Sequence, residues 1–149
     1  MPPALRGLPG RPDQMNIKKS RAHKPQPIVL GPLPVLQINQ AMQLELVPGD
    51  LIVPVGIEIH ISRQRPGEYA RLLPHLGAVT ANPLYVGDDF KNEGIELVGS
   101  APGSGGAFIL VAICLEIDST GRYQVRTFYA TSREKIERRR QKGVLWNIL

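Results

Sequence analysis

Cysteine is nearly absent: Cys114 is the single thiol in 149 residues. One thiol closes no internal disulfide, which points to a reducing compartment. With no compact cysteine/histidine cluster, no zinc site is expected. Cys114 stands inside an apolar run, where a small buried hydrophobe is its ordinary role. Long hydrophobic stretches are missing too. The longest, Ala107 to Leu115, is too short to span a bilayer. The first residues are proline- and arginine-rich with no apolar h-region, so no secretory leader is expected. The familiar catalytic signatures are also lacking: no Walker loop, no paired-glycine motif opening a helix, no zinc-binding histidine pair. The glycine-rich stretch Gly99 to Gly106 links two apolar segments and opens no helix. No metal and no cofactor is therefore expected.

What is present is an uneven charge. Residues 1–26 carry Arg6, Arg11, Lys18, Lys19, Arg21 and Lys24 against Asp13, which accounts for the whole net charge of +5. Prolines and basic residues without apolar periodicity predict a disordered basic tail there. Such a tail attracts nucleic acid or another anionic surface over about a Debye length, or serves only as a solubilising leader. Residues 27–149 are electroneutral and have the length of one ordinary domain, able to bury a core without staples.

Within that domain, Ile28–Leu30 before Gly31-Pro32 reads as a short extended piece. Val35, Leu36, Ile38, Ala41, Met42, Leu44 and Leu46 follow helical spacing up to Pro48-Gly49. From Leu51 to Ile61 the β-branched residues alternate with Gly56, Glu58 and His60, which predicts a strand with His60 on its polar face. A helix is expected over about Glu68–Thr80, kinked at Pro74, with Gly87-Asp88-Asp89 as a turn. Three strands then form a meander: Gly94–Val98, Ala107–Ile117 and Tyr123–Tyr129, the last after the turn Asp118-Ser119-Thr120-Gly121. Ser132 is placed to cap a final helix reaching Lys142. The order predicts an α+β fold: a small antiparallel sheet of about four strands packed against N-terminal helices, with a C-terminal helix.

The polar residues these elements carry are those of phosphate chemistry. RNA transesterification needs one group to take the 2′-OH proton, another to protonate the 5′-oxygen, and cations for the phosphorane. Histidine as a residue type serves in either proton role, which makes His60 the candidate acid or base. Lys91, Arg126 and Arg65 supply positive charge, Arg in bidentate form. Thr127, Tyr129 and Ser132 supply hydroxyls, Tyr129 also a face on which a base can stack. Arg126 and Thr127 are strand neighbours and face opposite sides unless a bulge intervenes. Two alternatives follow, Arg126 with Phe128 or Thr127 with Tyr129 and Thr131. RNA brings its own nucleophile, so a metal is not required.

Three segments carry a resemblance. They are Ile59-His60-Ile61 with Arg65-Pro66 and a leucine-patterned helix to Asn82-Pro83; Lys91 before Gly94–Val98; and Tyr123-Gln124-Val125-Arg126-Thr127-Phe128-Tyr129 leading into Lys135-Ile136. Together they resemble the phage-associated nucleases of the barnase–EndoU–colicin–RelE-like class, the BECR fold, over about Pro27 to Leu145. The resemblance implies a cytoplasmic, metal-independent endoribonuclease acting on RNA, tRNA included, as a phage or mobile-element effector or toxin. A cognate immunity protein or antitoxin is the implied partner. His60, Lys91, Arg126 and Thr127 would be catalytic; Arg65, Tyr129 and Ser132 would bind substrate. Family members often carry a second histidine directly before the proline. Here Arg65 stands there, a phosphate ligand but a poor proton carrier. A noncatalytic RNA- or protein-binding module on the same scaffold is the alternative expectation.

Overall fold

Phe108–Cys114 is apolar at every position, the composition of a strand buried on both faces. It forms the middle of a seven-stranded sheet. The computed structural model describes residues 25–100 and 107–148. The expected tail (but for residues 25 and 26) and most of the glycine-rich loop lie outside the described residues. The elements are β1 (Ile28–Pro32), α1 (Val35–Met42), β2 (Asp50–Val53), α2 (Val55–Gln64), α3 (Pro66–Leu72), α4 (Leu76–Ala81), β3 (Tyr85–Asp89), β4 (Gly94–Ser100), β5 (Phe108–Cys114), β6 (Tyr123–Thr131), α5 (Arg133–Gln141) and β7 (Leu145–Asn147). Single 3-10 turns occupy Leu73–His75 and Phe90–Asn92.

The sheet order is β1-β2-β6-β5-β4-β3-β7. Among the described residues only β2 and β6 run parallel, joined through Leu51 opposite Tyr123 and Ile52 opposite Gln124. The expectation of about four antiparallel strands is therefore corrected: the class is α+β, but the sheet is larger and mixed. The expected meander is present as β4-β5-β6. The additional strands are short, and Gly87-Asp88-Asp89, expected as a turn, lies in β3.

The second correction concerns Leu51–Ile61. Only Asp50–Val53 is strand; Val55–Gln64 is helix. Pro54, extended at ψ 151°, separates them. The alternating isoleucines also satisfy a helix, because Ile57 and Ile61 lie one turn apart. Ile61 is fully buried and Ile57 packs beside it. Burying such a side chain contributes about 1.5–3 kcal/mol, against at most ~0.7 kcal/mol of lost helix propensity per isoleucine. Tertiary packing wins. His60 consequently lies on the exposed surface of a helix.

One sheet face carries the main core. Leu51, Val53, Val86, Leu97, Val111 and Phe128 meet Ile38, Ile61, Leu72, Leu76 and Val79 from α1 to α4. On the opposite face Val98, Phe108, Leu110 and Ala112 pack with Ile136 of α5 and Leu145 of β7. Among the described residues no helix is long and apolar enough to cross a membrane.

β6 serves both faces through a bulge. Ala112 of β5 stands opposite Thr127, yet Ile113 stands opposite Val125, so Arg126 is an extra residue. Before it Tyr123 and Val125 point to the main core; after it Phe128 does. The inserted residue shifts the alternation by one and keeps both apolar sets on one side.

Two predictions follow from this packing. A Cβ on Gly94 would meet the Ile113 carbonyl oxygen at 2.3 Å. Gly94→Ala is expected to cost about 2 kcal/mol or more, read by urea denaturation. Glu58 Oε2 is buried without a hydrogen bond; burial raises the carboxyl pKa, only partly countered by a hydrogen bond with Tyr69. A raised folded-state pKa leaves a carboxyl's stability intact below its ordinary value of 4.5 and diminishes it as pH rises through the folded value. Glu58→Gln should therefore raise Tm at neutral pH, and that gain should vanish below pH 4.5.

Candidate functional site

The bulge decides which polar residues share a face. With Arg126 looped out of register, its guanidinium turns to the face that carries Thr127 and Tyr129, and Nη2 pairs with Asp89 Oδ2 of β3. Asp89 also accepts from Asn92 Nδ2 at 3.1 and 3.2 Å, which fastens the β3–β4 turn. Both sequence alternatives thus merge, since Arg126, Thr127 and Tyr129 look the same way.

β4 supplies Glu96 to this face, opposite Ala112 of β5. Glu96 is 9% exposed and pairs with Arg139 Nη2 from α5. Ile136 anchors that helix and Ser132 caps it, its Oγ accepting from the Lys135 N–H at 3.2 Å. Helical geometry then brings Arg139, three positions beyond Ile136, over the sheet.

A third guanidinium arrives from the other side. Arg65 sits at the break between α2 and α3, at φ −141° and ψ 66°, held there by Pro66. Because β2 pairs with β6 only at Tyr123 and Gln124, the edge of β6 beyond them is open. Arg65 reaches over that edge. Its Nη2 donates to the Phe128 carbonyl oxygen at 3.2 Å and to Thr127 Oγ1 at 3.4 Å. Its Nη1 donates to Glu68 Oε1 at 2.9 Å, and the guanidinium lies 5.8 Å from the Tyr129 ring centre.

Tyr129 stands among all these groups. Burial pushes its hydroxyl pKa up, Glu96 and Asp89 push it further, and Arg139 and Arg65 pull against them. The phenol is therefore neutral at physiological pH and acts as a hydrogen-bond donor, not as a base. The cluster comprises three arginines, two buried carboxylates, a threonine hydroxyl and a neutral phenol, drawn from β3, β4, β6, α5 and the α2–α3 junction.

Four of the sequence-predicted residues meet here: Arg65, Arg126, Thr127 and Tyr129. Three do not. His60 is exposed on α2 and makes no hydrogen bond or ion pair. In a helix Glu58 and His60 lie about 160° apart, so His60 projects away from the flank that faces Tyr69. Lys91 is exposed on the 3-10 turn beside Asp89, bordering a recess with Glu93, Cys114 and Glu116. Ser132 is occupied as a helix cap.

Sequence reasoning missed Asp89, Glu96 and Arg139. A usable signal existed for Glu96: it interrupts the apolar run Ile95-Glu96-Leu97-Val98, and a carboxylate buried in a strand demands a cation. The identity of that cation depends on α5 crossing the sheet, which no local pattern encodes.

Arg126→Ala would leave Asp89 buried with only Asn92 as partner. A loss of about 1–3 kcal/mol is expected, and adding Asp89→Asn should recover part of it, a coupling read by a double-mutant denaturation cycle.

No protein-family model, curated protein or solved structure matches the chain.

Proposed function

We propose that the chain is a metal-independent endoribonuclease of the cytoplasm, akin to the phage-associated BECR nucleases, with its active centre on the open sheet face around Tyr129. The observation that carries this reading is the reach of Arg65 over the β6 edge. It sets a guanidinium against the Thr127 hydroxyl and the neutral Tyr129 phenol, on which the charge of Glu96 also acts.

These groups match the demands of RNA transesterification. The 2′-oxygen attacks phosphorus, the bond to the 5′-oxygen breaks, and a 2′,3′-cyclic phosphate and a 5′-hydroxyl result. Glu96, oriented by Arg139, takes the 2′-OH proton. Arg65 and Arg126 balance the charge gathering on the non-bridging oxygens. Thr127 positions the phosphate, and the neutral Tyr129 hydroxyl gives its proton to the departing 5′-oxygen; the proton taken up by Glu96 restores the phenol when the site resets. His60 and Lys91 have no assigned part in this arrangement.

A second reading has its own support. Each of the three guanidiniums already holds an internal carboxylate: Glu68, Asp89 or Glu96. A face so neutralised suits a noncatalytic RNA- or protein-binding module.

Cleavage of bulk tRNA in EDTA separates the two. The parent should cut. Arg65→Ala and Glu96→Gln should each lose about 10²–10³-fold in rate, the usual effect of removing one transition-state contact. His60→Ala should stay within a few-fold of the parent. A tRNA gel shift without cleavage would establish the binding module instead.

A further inference from the structure

The C-terminal helix carries charge that the proposed chemistry does not use. Ile136 is its buried residue, and it defines the direction of the sheet. At about 100° per residue, Arg139 lies on one flank of Ile136, and Arg140 and Arg133 on the other. Arg139 turns to Glu96, Arg140 stacks over Tyr85 and Arg133 over Phe108.

Continuing past Arg139 around the same flank come Lys135, Lys142 and Arg138. All three are exposed, and none makes an ion pair. Glu137 is on the opposite flank, where it pairs with Arg140, and Glu134 lies on the outer side of the helix, one turn before Arg138. Lys135 and Lys142 thus stand clear of the acids, while Arg138 closes the basic stripe at its border with Glu134, one turn before it in the same surface recess. Spacing along the axis is about 4.5 Å from Lys135 to Arg138 and about 6 Å on to Lys142. Lys135 and Lys142, about 40° and 60° around the helix from Arg139, are the members of the stripe on the side of the Glu96 ion pair, and Arg138 continues it outward.

We infer that Lys135, Arg138 and Lys142 form a track for the sugar-phosphate backbone of single-stranded RNA, guiding the strand across α5 into the Tyr129 site. The inference rests on the RNA reading above and adds to it where the strand runs outside the reacting phosphate. Stem-mounted point charges such as lysine bind phosphates without reading sequence, so the track contributes affinity and no base preference.

The test uses the full chain and a short, fluorescein-labelled 2′-O-methyl oligoribonucleotide, which lacks the free 2′-hydroxyl needed for cleavage. Binding is titrated over a range of salt concentrations. Three phosphate contacts on a single strand each contribute ~0.7 to the slope of log K against log salt. The triple variant Lys135→Ala, Arg138→Ala, Lys142→Ala should therefore bind with a slope shallower by about 2. All three positions are exposed, so folding is retained, and the basic residues before position 27 contribute equally to both proteins. A matched variant of the acids, Glu134→Gln with Glu137→Gln, should leave the slope unchanged or steepen it. With a cleavable oligoribonucleotide the triple variant should show raised KM and unchanged kcat.

Cleavage of a dinucleoside monophosphate, too short to extend from the reacting phosphate along Lys135, Arg138 and Lys142, separates the track from the active centre. Equal cleavage by parent and triple variant, with the slope reduced on the longer strand, supports the track. An unaltered slope overturns it while leaving the nuclease reading standing. Failure of the parent both to bind the oligonucleotide and to cut the dinucleotide overturns both.

Discussion

The extra residue in β6 is the constraint on which the rest of the molecule depends. A strand alternates faces with a period of two, so one inserted residue exchanges the sides of everything beyond it. Val125 and Phe128 both belong to the main core, although their spacing of three would send them to opposite faces of a regular strand. The bulge reconciles them, and Arg126 is the residue it displaces. Thr127 and Tyr129 follow on the opposite face. Core packing and the polar cluster are thus two outcomes of one local irregularity. Bulges recur beside functional sites because they re-aim side chains in this manner.

Around that displaced arginine the second sheet face is balanced charge against charge. Asp89 and Glu96 are each largely withdrawn from water, and each meets a guanidinium from a different element. Isolated, either carboxylate would be strongly destabilising there. Paired, each ties two elements together: β3 to β6, and β4 to α5. Such pairs add little net stability over apolar replacements but specify which elements meet. Their arrangement also leaves Tyr129 neutral and surrounded by donors and acceptors.

The central strands and the last helix were legible because their signals are local. Phe108–Cys114 is uniformly apolar, Tyr123–Tyr129 alternates, and Ser132 marks the start of α5. Their order carried the coarse α+β class but not the sheet, which has seven strands and a parallel pair where about four antiparallel strands were expected. Val55–Gln64 was not legible, because isoleucines at 57, 59 and 61 satisfy both a period of two and a one-turn repeat; the core chose between them. β7 has three residues and β2 four, too few for any period to emerge. Of the site, Arg65, Thr127 and Tyr129 were identified by chemical type, and Arg126 with a stated condition that the bulge fulfils. Asp89 became visible only when the sheet brought β3 within reach of Arg126, and Glu96, marked by the apolar run it interrupts, found its cation only when α5 crossed the sheet.

The parallel pairing of β2 with β6 has a consequence for how the chain acquires its shape. Leu51 and Ile52 find their partners in Tyr123 and Gln124, on the far side of most of the domain. During synthesis, β1 and β2 leave the ribosome long before β6 exists. Until then β2 has β1 on one side and an unmatched edge on the other. Contacts so distant in sequence slow the search for the native arrangement and lengthen the time an apolar edge stays open to wrong partners. The newborn amino-terminal half must either be shielded or remain loosely formed until the last third of the chain arrives to close the sheet.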